Sequence, residues 1–159
     1  MEAKKKQIKD MVIPLSEYPH LPYWGTLREA IVQFNAAYEI GHHAVLVFDE
    51  AYKLVGMLLR KDVLKGLEPK FAQHYEDGVP IFWDELLQTG SEKRLARPVK
   101  EFMSEIKATI DIDDSILKAS HIMLQEDNDL LPVMEGDKLI GVLRMDELFH
   151  DLTSTVLNL

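Results

Sequence analysis

Because cysteine is absent, the candidate metal ligands of this chain are its six histidines and its carboxylates. His20, His42 and His43 could hold a metal ion, and two acidic stretches, 49–50 and 127–129, could attract a divalent cation. Adjacent histidines point in different directions, however, and neither acidic stretch has calcium-loop spacing. Surface loops and solvated turns are the better interpretation. Because no nucleophile-elbow, zinc-protease or phosphate-loop motif is present, the sequence does not predict an enzyme.

Two further acids occupy matching places in an internal repeat. Residues 53–65 read KLVGMLLRKDVLK, and residues 138–149 read KLIGVLRMDELF. Both stretches place an acid six residues after a glycine, so that Asp62 follows Gly56 and Glu147 follows Gly141. The dipole of a helix favours an acid at its N-terminus, which gives both acids a purely structural interpretation. The repeat itself predicts two copies of one small unit.

The two copies predict the same order of elements around these acids. Each begins with an entry segment, 8–12 or 99–103, and an extended stretch follows it, clearest at 108–112. Thr26 and Ser115 are the predicted N-caps of the next helix, and Glu29 completes a possible capping box with Thr26. Two strands and a second helix, which begins at the acid, close each copy. The predicted strands are 44–48 and 54–59 in the first copy, and 130–134 and 139–143 in the second.

Length and composition bound the remaining possibilities. The copies span 8–66 and 98–156, and the connector 67–97 contains a predicted short amphipathic helix at 80–87. A net charge of −9 argues against general binding of nucleic acid. With no run of about 18 apolar residues, the sequence predicts no membrane span. The absence of cysteine is consistent with a reducing, cytoplasmic location.

In this β-α-β-β-α order, with its glycine-to-acid turn, the chain resembles the CBS domain, the module named after cystathionine β-synthase. Leu131-Pro132-Val133 followed by 137–141 is the more typical copy, and the resemblance covers nearly the whole chain. It implies an α+β fold in which the two copies pair through their sheets into one module. It also implies that two such modules form a homodimer.

The resemblance further implies an adenosine-type ligand, such as AMP, ADP, ATP or S-adenosylmethionine, in clefts between the copies. The family signature is a glycine, two apolar residues, Thr or Ser, two residues and then Asp, which accepts from the ribose hydroxyls. Asp62 fits this role and Glu147 is its longer counterpart. Leu59 and Arg144 replace the expected hydroxyl residue.

Further ligand contacts follow from the same resemblance. Arg60 and Lys61, or Arg144 in the second copy, would supply charge to phosphates. The predicted base-side residues come from the first extended segment and the middle strand of each copy, and ordinary core packing is the alternative for the apolar ones. These residues are His20 and Val45 in the first copy, and Thr109, Ile110 and Leu131 in the second.

The predicted function is that of a stand-alone energy or metabolite sensor without chemistry of its own. It requires no cofactor beyond its nucleotide ligand and acts on an unknown regulated protein in trans. A non-catalytic dimerisation or interaction module with degenerate clefts is the alternative, which the missing hydroxyl in both signatures favours.

Overall fold

A computed structural model describes residues 6–68 and 91–159. The described chain contains short and long strands, α-helices and short 3-10 helices in a mixed α+β arrangement. The strands are β1 (Ile13–Pro14), β2 (His20–Pro22), β3 (Ala44–Phe48), β4 (Leu54–Leu59), β5 (Ile110–Asp111), β6 (Leu130–Glu135) and β7 (Lys138–Arg144). The α-helices are α1 (Leu27–Ala36), α2 (Arg60–Leu67), α3 (Ser91–Leu95), α4 (Ile116–Glu126) and α5 (Met145–Leu157). The 3-10 helices are Ile8–Asp10, Leu15–Glu17 and Val99–Glu101.

Both predicted N-caps are confirmed. Thr26 Oγ1 accepts a hydrogen bond from the N–H of Glu29 at 3.2 Å, and Ser115 Oγ accepts from the N–H of Lys118 at 3.1 Å. Each hydroxyl satisfies an amide that the first helical turn cannot pair internally. These caps fix the residues at which α1 and α4 begin.

The chain forms two compact units, and the first comprises Pro19–Glu105. Its sheet has the order β2-β3-β4, with β2 parallel to β3 and β3 antiparallel to β4. Every residue of β3 is buried. Helices α1 and α2 contribute Leu27, Ala30 and Val63 to a core that includes Val45 and Val47.

The second unit combines the segment that ends at Tyr18 with Ile106–Leu159. Its sheet has the order β1-β7-β6-β5, in which β5 is parallel to β6 and both other pairings are antiparallel. Its registers repeat those of the first unit. Val47 is opposite Gly56 in one sheet and Val133 is opposite Gly141 in the other, and both hairpins have an irregularity one residue further on.

The predicted β-α-β-β-α order is therefore confirmed in both units, with small differences in extent. The extended stretch predicted at 108–112 is a strand over β5 alone. The second helices begin two residues before the acids, so that Asp62 and Glu147 are the third residues of α2 and α5. The helix predicted at 80–87 lies outside the described residues. Within the described ranges, no helix is long and apolar enough to span a membrane.

The compact units differ from the sequence copies in one respect, because the entry segments are exchanged. Ile8 and Met11, from the entry segment of the first copy, are buried in the core of the second unit. Val99, from the entry segment of the second copy, is fully buried in the core of the first unit. The exchange is explained by the hydrophobic effect, because each entry segment buries its apolar side chains in the core of the other unit.

The repeated glycines lie where these exchanged segments pass. β1 pairs with β7 so that Pro14 is opposite Gly141. In the first unit, an isolated antiparallel bridge joins Met57 to Ser104, just after Gly56. Glycine is favoured where a neighbouring backbone passes close to a strand, because it has no side chain to obstruct the approach. The glycine of the sequence motif thus has a packing reason in both units.

Candidate functional site

The first candidate site lies where β4 runs directly into α2. The Oδ2 atom of Asp62 accepts a hydrogen bond from the backbone N–H of Leu59 at 2.8 Å. Leu59 is the residue that precedes α2, so the carboxylate satisfies an amide at the start of the helix. The acid predicted to contact ribose therefore also stabilises the N-terminus of its own helix.

A second hydrogen-bond donor reaches Asp62 from the entry segment of the second copy. Ser104 Oγ lies 3.1 Å from Oδ1 and 2.9 Å from Oδ2 of the carboxylate. Asp62 is only 5% exposed, and a buried carboxylate is costly unless it has such partners. Two separate segments of the first unit thus fix the position of this carboxylate.

Two cations directly precede the acid in sequence. Arg60 and Lys61 are the first two residues of α2, and both are exposed. The amides at a helix N-terminus and neighbouring cations both favour an anion. This corner therefore offers local positive charge on a chain whose net charge is −9.

The predicted base-side residues of the first copy have two different environments. Val45 is fully buried among Leu21 and Val47 in the core of its unit, which is the environment that ordinary core packing predicts. His20 is partly buried at the start of β2, where its ring contacts Phe48 and Tyr52 edge to face at centroid distances of 5.9 and 6.4 Å.

His20, Phe48 and Tyr52 together form an aromatic cluster. The Tyr52 hydroxyl lies 3.4 Å from His20 Nε2, and the Tyr52 ring stacks on Phe48 at 5.0 Å. Tyr52 has a φ of 62°, a left-handed conformation that is uncommon for a bulky residue. Tyr52 as a whole is 65% exposed, although one face of its ring packs on Phe48. No spacing pattern in the sequence predicts this cluster, because only the residue types are visible there.

The second candidate site lies at the equivalent junction of β7 and α5. Arg144 Nε donates to both carboxylate oxygens of Glu147 at 3.0 Å, and Nη2 also contacts Oε1. This hydrogen bond is the main cause of a raised pKa for Arg144. The two predicted ligand residues of this copy are therefore engaged with each other, in a bidentate pair that neutralises both charges.

The other predicted residues of the second copy differ in how far they are buried. Ile110 and Leu131 are buried in the core of the second unit. Thr109, one residue before β5, is exposed. As in the first copy, the apolar residues have the environment expected of core packing, and the polar one is open to solvent.

Ser104 is the site residue that the sequence reasoning missed. Its equivalent in the second unit is Ile13, because each is opposite the residue that follows the repeated glycine, Met57 or Val142. A hydroxyl therefore faces the acid of the first unit at a position where the second unit has an aliphatic side chain. The signal was present in the aligned entry segments, as a serine at a position that is apolar in the other copy.

The acidic stretches have structural roles in turns. Asp49 Oδ1 accepts from the N–H groups of Ala51 and Lys53, both at 2.9 Å. Asp127 ends α4 in a left-handed conformation, and Asn128 Oδ1 accepts from the N–H of Leu130. Among the described residues, no group of three or more His, Asp or Glu side chains is arranged to hold a metal ion.

The CBS domain family model matches the chain twice, over residues 25–69 and 99–154. No curated protein sequence is significantly similar to the chain. Both matched ranges contain one of the two glycine-to-acid turns.

Solved structures with the same fold cover most of the chain. CBSX2 in complex with AMP has a TM-score of 0.65 at 18% identity, covering 94% of this chain and 97% of that one. A CBS domain-containing protein of unknown function from Bacillus anthracis has a TM-score of 0.68 at 18% identity, covering 94% of both chains. The cytosolic domain of the Mg²⁺ channel MgtE, in complex with ATP, has a TM-score of 0.60 at 17% identity and covers 88% of this chain and 46% of that one.

Proposed function

This chain belongs to the CBS domain family, and from that premise we propose that it is a regulatory module that binds an adenosine-type nucleotide. The ligand class is AMP, ADP, ATP or S-adenosylmethionine. The observation that carries the proposal is the corner of Asp62, where a fixed carboxylate lies beside two exposed cations at a helix N-terminus. That two solved proteins of the same fold contain AMP or ATP supports the same ligand class.

The ligand's parts match different groups at this corner. A carboxylate has two oxygens, which suit the two hydroxyls of a ribose. Arg60 and Lys61 would face the phosphates, where charge-assisted hydrogen bonds are stronger than neutral ones. His20 and Val45 are the proposed base-side residues, on β2 and β3, the other two strands of the sheet that contains β4.

The second copy would provide a weaker site. Glu147 is the proposed ribose acceptor, and Arg144 would have to leave it before either could engage a ligand. Thr109, Ile110 and Leu131 are the proposed base-side residues there. Because the ion pair must first be broken, we expect this site to bind less tightly than the first.

The module would sense an energy or metabolite signal without catalysing a reaction. The nucleotide would favour one conformation, and a regulated protein would recognise it in trans. We further propose that the two copies pair through their sheets, that the module forms a homodimer, and that it acts in the cytoplasm. No cofactor other than the nucleotide is required.

Two observations favour a second candidate, an interaction module with degenerate clefts. Both positions that carry a hydroxyl in the family signature carry another residue, Leu59 and Arg144. Asp62 also has two hydrogen-bond donors within its own unit. In such a module, both acids would serve folding alone.

Isothermal titration calorimetry and thermal shift separate the two candidates. A ligand that binds the folded state alone raises the melting temperature. We expect AMP or ATP to do so, and the 2′-deoxy analogue to bind more weakly, because it lacks one of the two hydroxyls. If neither nucleotides nor S-adenosylmethionine bind, the interaction module is the better description. A nucleotide-turnover assay should show no product, and steady turnover would contradict the sensor.

A further inference from the structure

The carboxylate of Asp62 is already hydrogen-bonded before any ligand arrives. A carboxylate offers about four lone-pair positions. The Leu59 amide donates to Oδ2, and the single hydroxyl hydrogen of Ser104 lies within reach of both Oδ1 and Oδ2. Because Asp62 is only 5% exposed, a ribose diol could reach the carboxylate only if one of the groups around it moves away.

The two partners differ in how easily they can leave. The Leu59 N–H belongs to the backbone at the start of α2, and its removal would unwind the helix start. The Ser104 hydroxyl is a side-chain group that rotates about a single bond. A diol would therefore displace Ser104 rather than Leu59.

We propose that Ser104 sets the nucleotide affinity of the first site by competing for Asp62, and that binding loosens the 103–104 end of its entry segment. This inference rests on the function proposed above. Ser104 is thus a residue that opposes binding, and the ligand, in replacing it, acts on the segment that leads into the second copy.

The surrounding contacts determine which part of that segment can loosen. Val99 is fully buried, and its N–H donates to Gly25 O at 2.7 Å, so this end is anchored. The other end is held by two backbone hydrogen bonds between Met57 and Ser104, at 3.0 and 2.8 Å, besides the side-chain contact with Asp62. Loss of the side-chain contact would weaken this end first.

The position of Ser104 carries a different side chain in the second unit. Ile13 occupies the corresponding register position, and its aliphatic side chain has no hydroxyl. The proposed exchange of a serine hydroxyl for a ribose hydroxyl therefore concerns the first site.

Calorimetry with AMP on Ser104→Ala tests the competition. We expect the variant to bind roughly three- to tenfold more tightly than the wild type, which is the range of one hydrogen bond. Ser104→Thr keeps the hydroxyl and should bind like the wild type. If Ser104→Ala binds equally or more weakly, Ser104 does not compete with the ligand and the inference is overturned.

Hydrogen exchange on the wild type tests the loosening without any variant. We expect AMP to speed exchange of the Met57 and Ser104 amides, and to leave the Val99 amide protected. Slower exchange at Met57 and Ser104 would overturn the inference. If the wild type binds no nucleotide, both the function and the inference fail. If it binds and Asp62→Ala weakens binding, but Ser104→Ala is no tighter than the wild type, the inference alone fails.

Discussion

Gly141 lies so close to the backbone of Ile13 that a Cβ atom added to it would collide with the Ile13 carbonyl oxygen. The repeated glycine of the first copy is in a similar position. A Cβ atom on Gly56 would lie 2.5 Å from the sulfur of Met103 and 3.1 Å from the carbonyl oxygen of Ser104. The closest obstruction differs between the two glycines. At Gly141 it is a backbone atom, which cannot rotate away, whereas at Gly56 it is the end of a methionine side chain, which can.

Gly141→Ala should therefore destabilise the protein more than Gly56→Ala. Overpacking of this kind costs roughly 1–3 kcal/mol, and we expect Gly141→Ala near the upper end. Urea denaturation measures the free energy of unfolding for both. Gly136→Ala is a useful control, because its Cβ would meet nothing within 4 Å and its cost, about 1 kcal/mol, would come from a φ of +63°. Equal losses for Gly141→Ala and Gly56→Ala would contradict this account.

Asp62→Ala should weaken AMP binding by roughly one to two decades, because a charge-assisted bond contributes about 1.5–3 kcal/mol. Glu147→Ala should have a smaller effect on the tighter site. Calorimetry on both variants measures the two affinities. Asp62→Asn serves as the structural control, since its amide oxygen can still accept from Leu59 while the charge is lost. If Asp62→Ala binds like the wild type and Glu147→Ala does not bind, the assignment of the two clefts is reversed.

Removal of either N-cap should cost about 1 kcal/mol of stability. Thr26→Ala removes the acceptor for the Glu29 amide at the start of α1, and Ser115→Ala does the same for Lys118 in α4. Chemical denaturation compares each with its conservative exchange, Thr26→Ser or Ser115→Thr, which keeps the hydroxyl. An alanine variant as stable as its conservative exchange would show that the cap contributes nothing.

Asp114 should make part of the stability depend on acid pH. A hydrogen bond from the Asp111 amide, helped by Lys118, holds the pKa of Asp114 below its ordinary value of 3.8. A carboxyl whose pKa is lower in the folded state stabilises it above the unfolded value and loses that effect as the pH falls through the folded value. The stability advantage over Asp114→Asn should therefore persist at pH 5–7 and shrink below about 3.8.

Denaturation from pH 7 to pH 2 checks this dependence. Asp113→Asn, at the exposed neighbouring position, is the matched control. An advantage over Asp114→Asn that stays constant over the whole range would show that Asp114 is not the titrating group.

Exposed apolar side chains on α4 and α5 should be covered in the proposed homodimer. Leu117 and Leu124 are 73% and 74% exposed, and Phe149 and Val156 are 64% and 65% exposed. Within each pair the spacing is seven residues, which places both on one stripe of the helix. Light scattering should give about twice the 18.3 kDa mass of one chain.

Phe149→Glu should shift that mass towards the monomer, because a charge would have to be buried in the interface. Gln125→Glu adds the same charge at an exposed polar position of α4 and should leave the dimer intact. A wild type that is monomeric at micromolar concentration would exclude the dimer.

Most of the local structure could be predicted because it follows from short-range patterns. The apolar run at 44–48 and the hydroxyls at Thr26 and Ser115 carry enough local signal to place β3 and two helix starts. The exchange of entry segments could not be predicted, because β1 is two residues long and has no periodicity. β1 pairs with β7 because Ile8 and Met11 are buried in the core of the second unit, and that burial depends on the whole fold.

The candidate site, too, could be predicted where it depends on local sequence and not where it depends on distant segments. The repeat identified Asp62 and Glu147 as equivalent residues, and the three-residue spacing of Arg144 and Glu147 on one helix start permits their ion pair. The hydrogen bond between Asp62 and Ser104 joins residues that are 42 apart in sequence. No local pattern marks such a pair, and it depends on which unit the entry segment joins.

The exchanged entry segments also set an order of events during synthesis on the ribosome. The first unit is complete once Glu105 has been made, whereas β1 must wait for β7, about 125 residues after it. At roughly 5–20 residues per second, that delay is on the order of ten seconds. During this time Ile8 and Met11 have no core to enter. Ile8 and Met11 would therefore remain exposed in the nascent chain until the second unit can form.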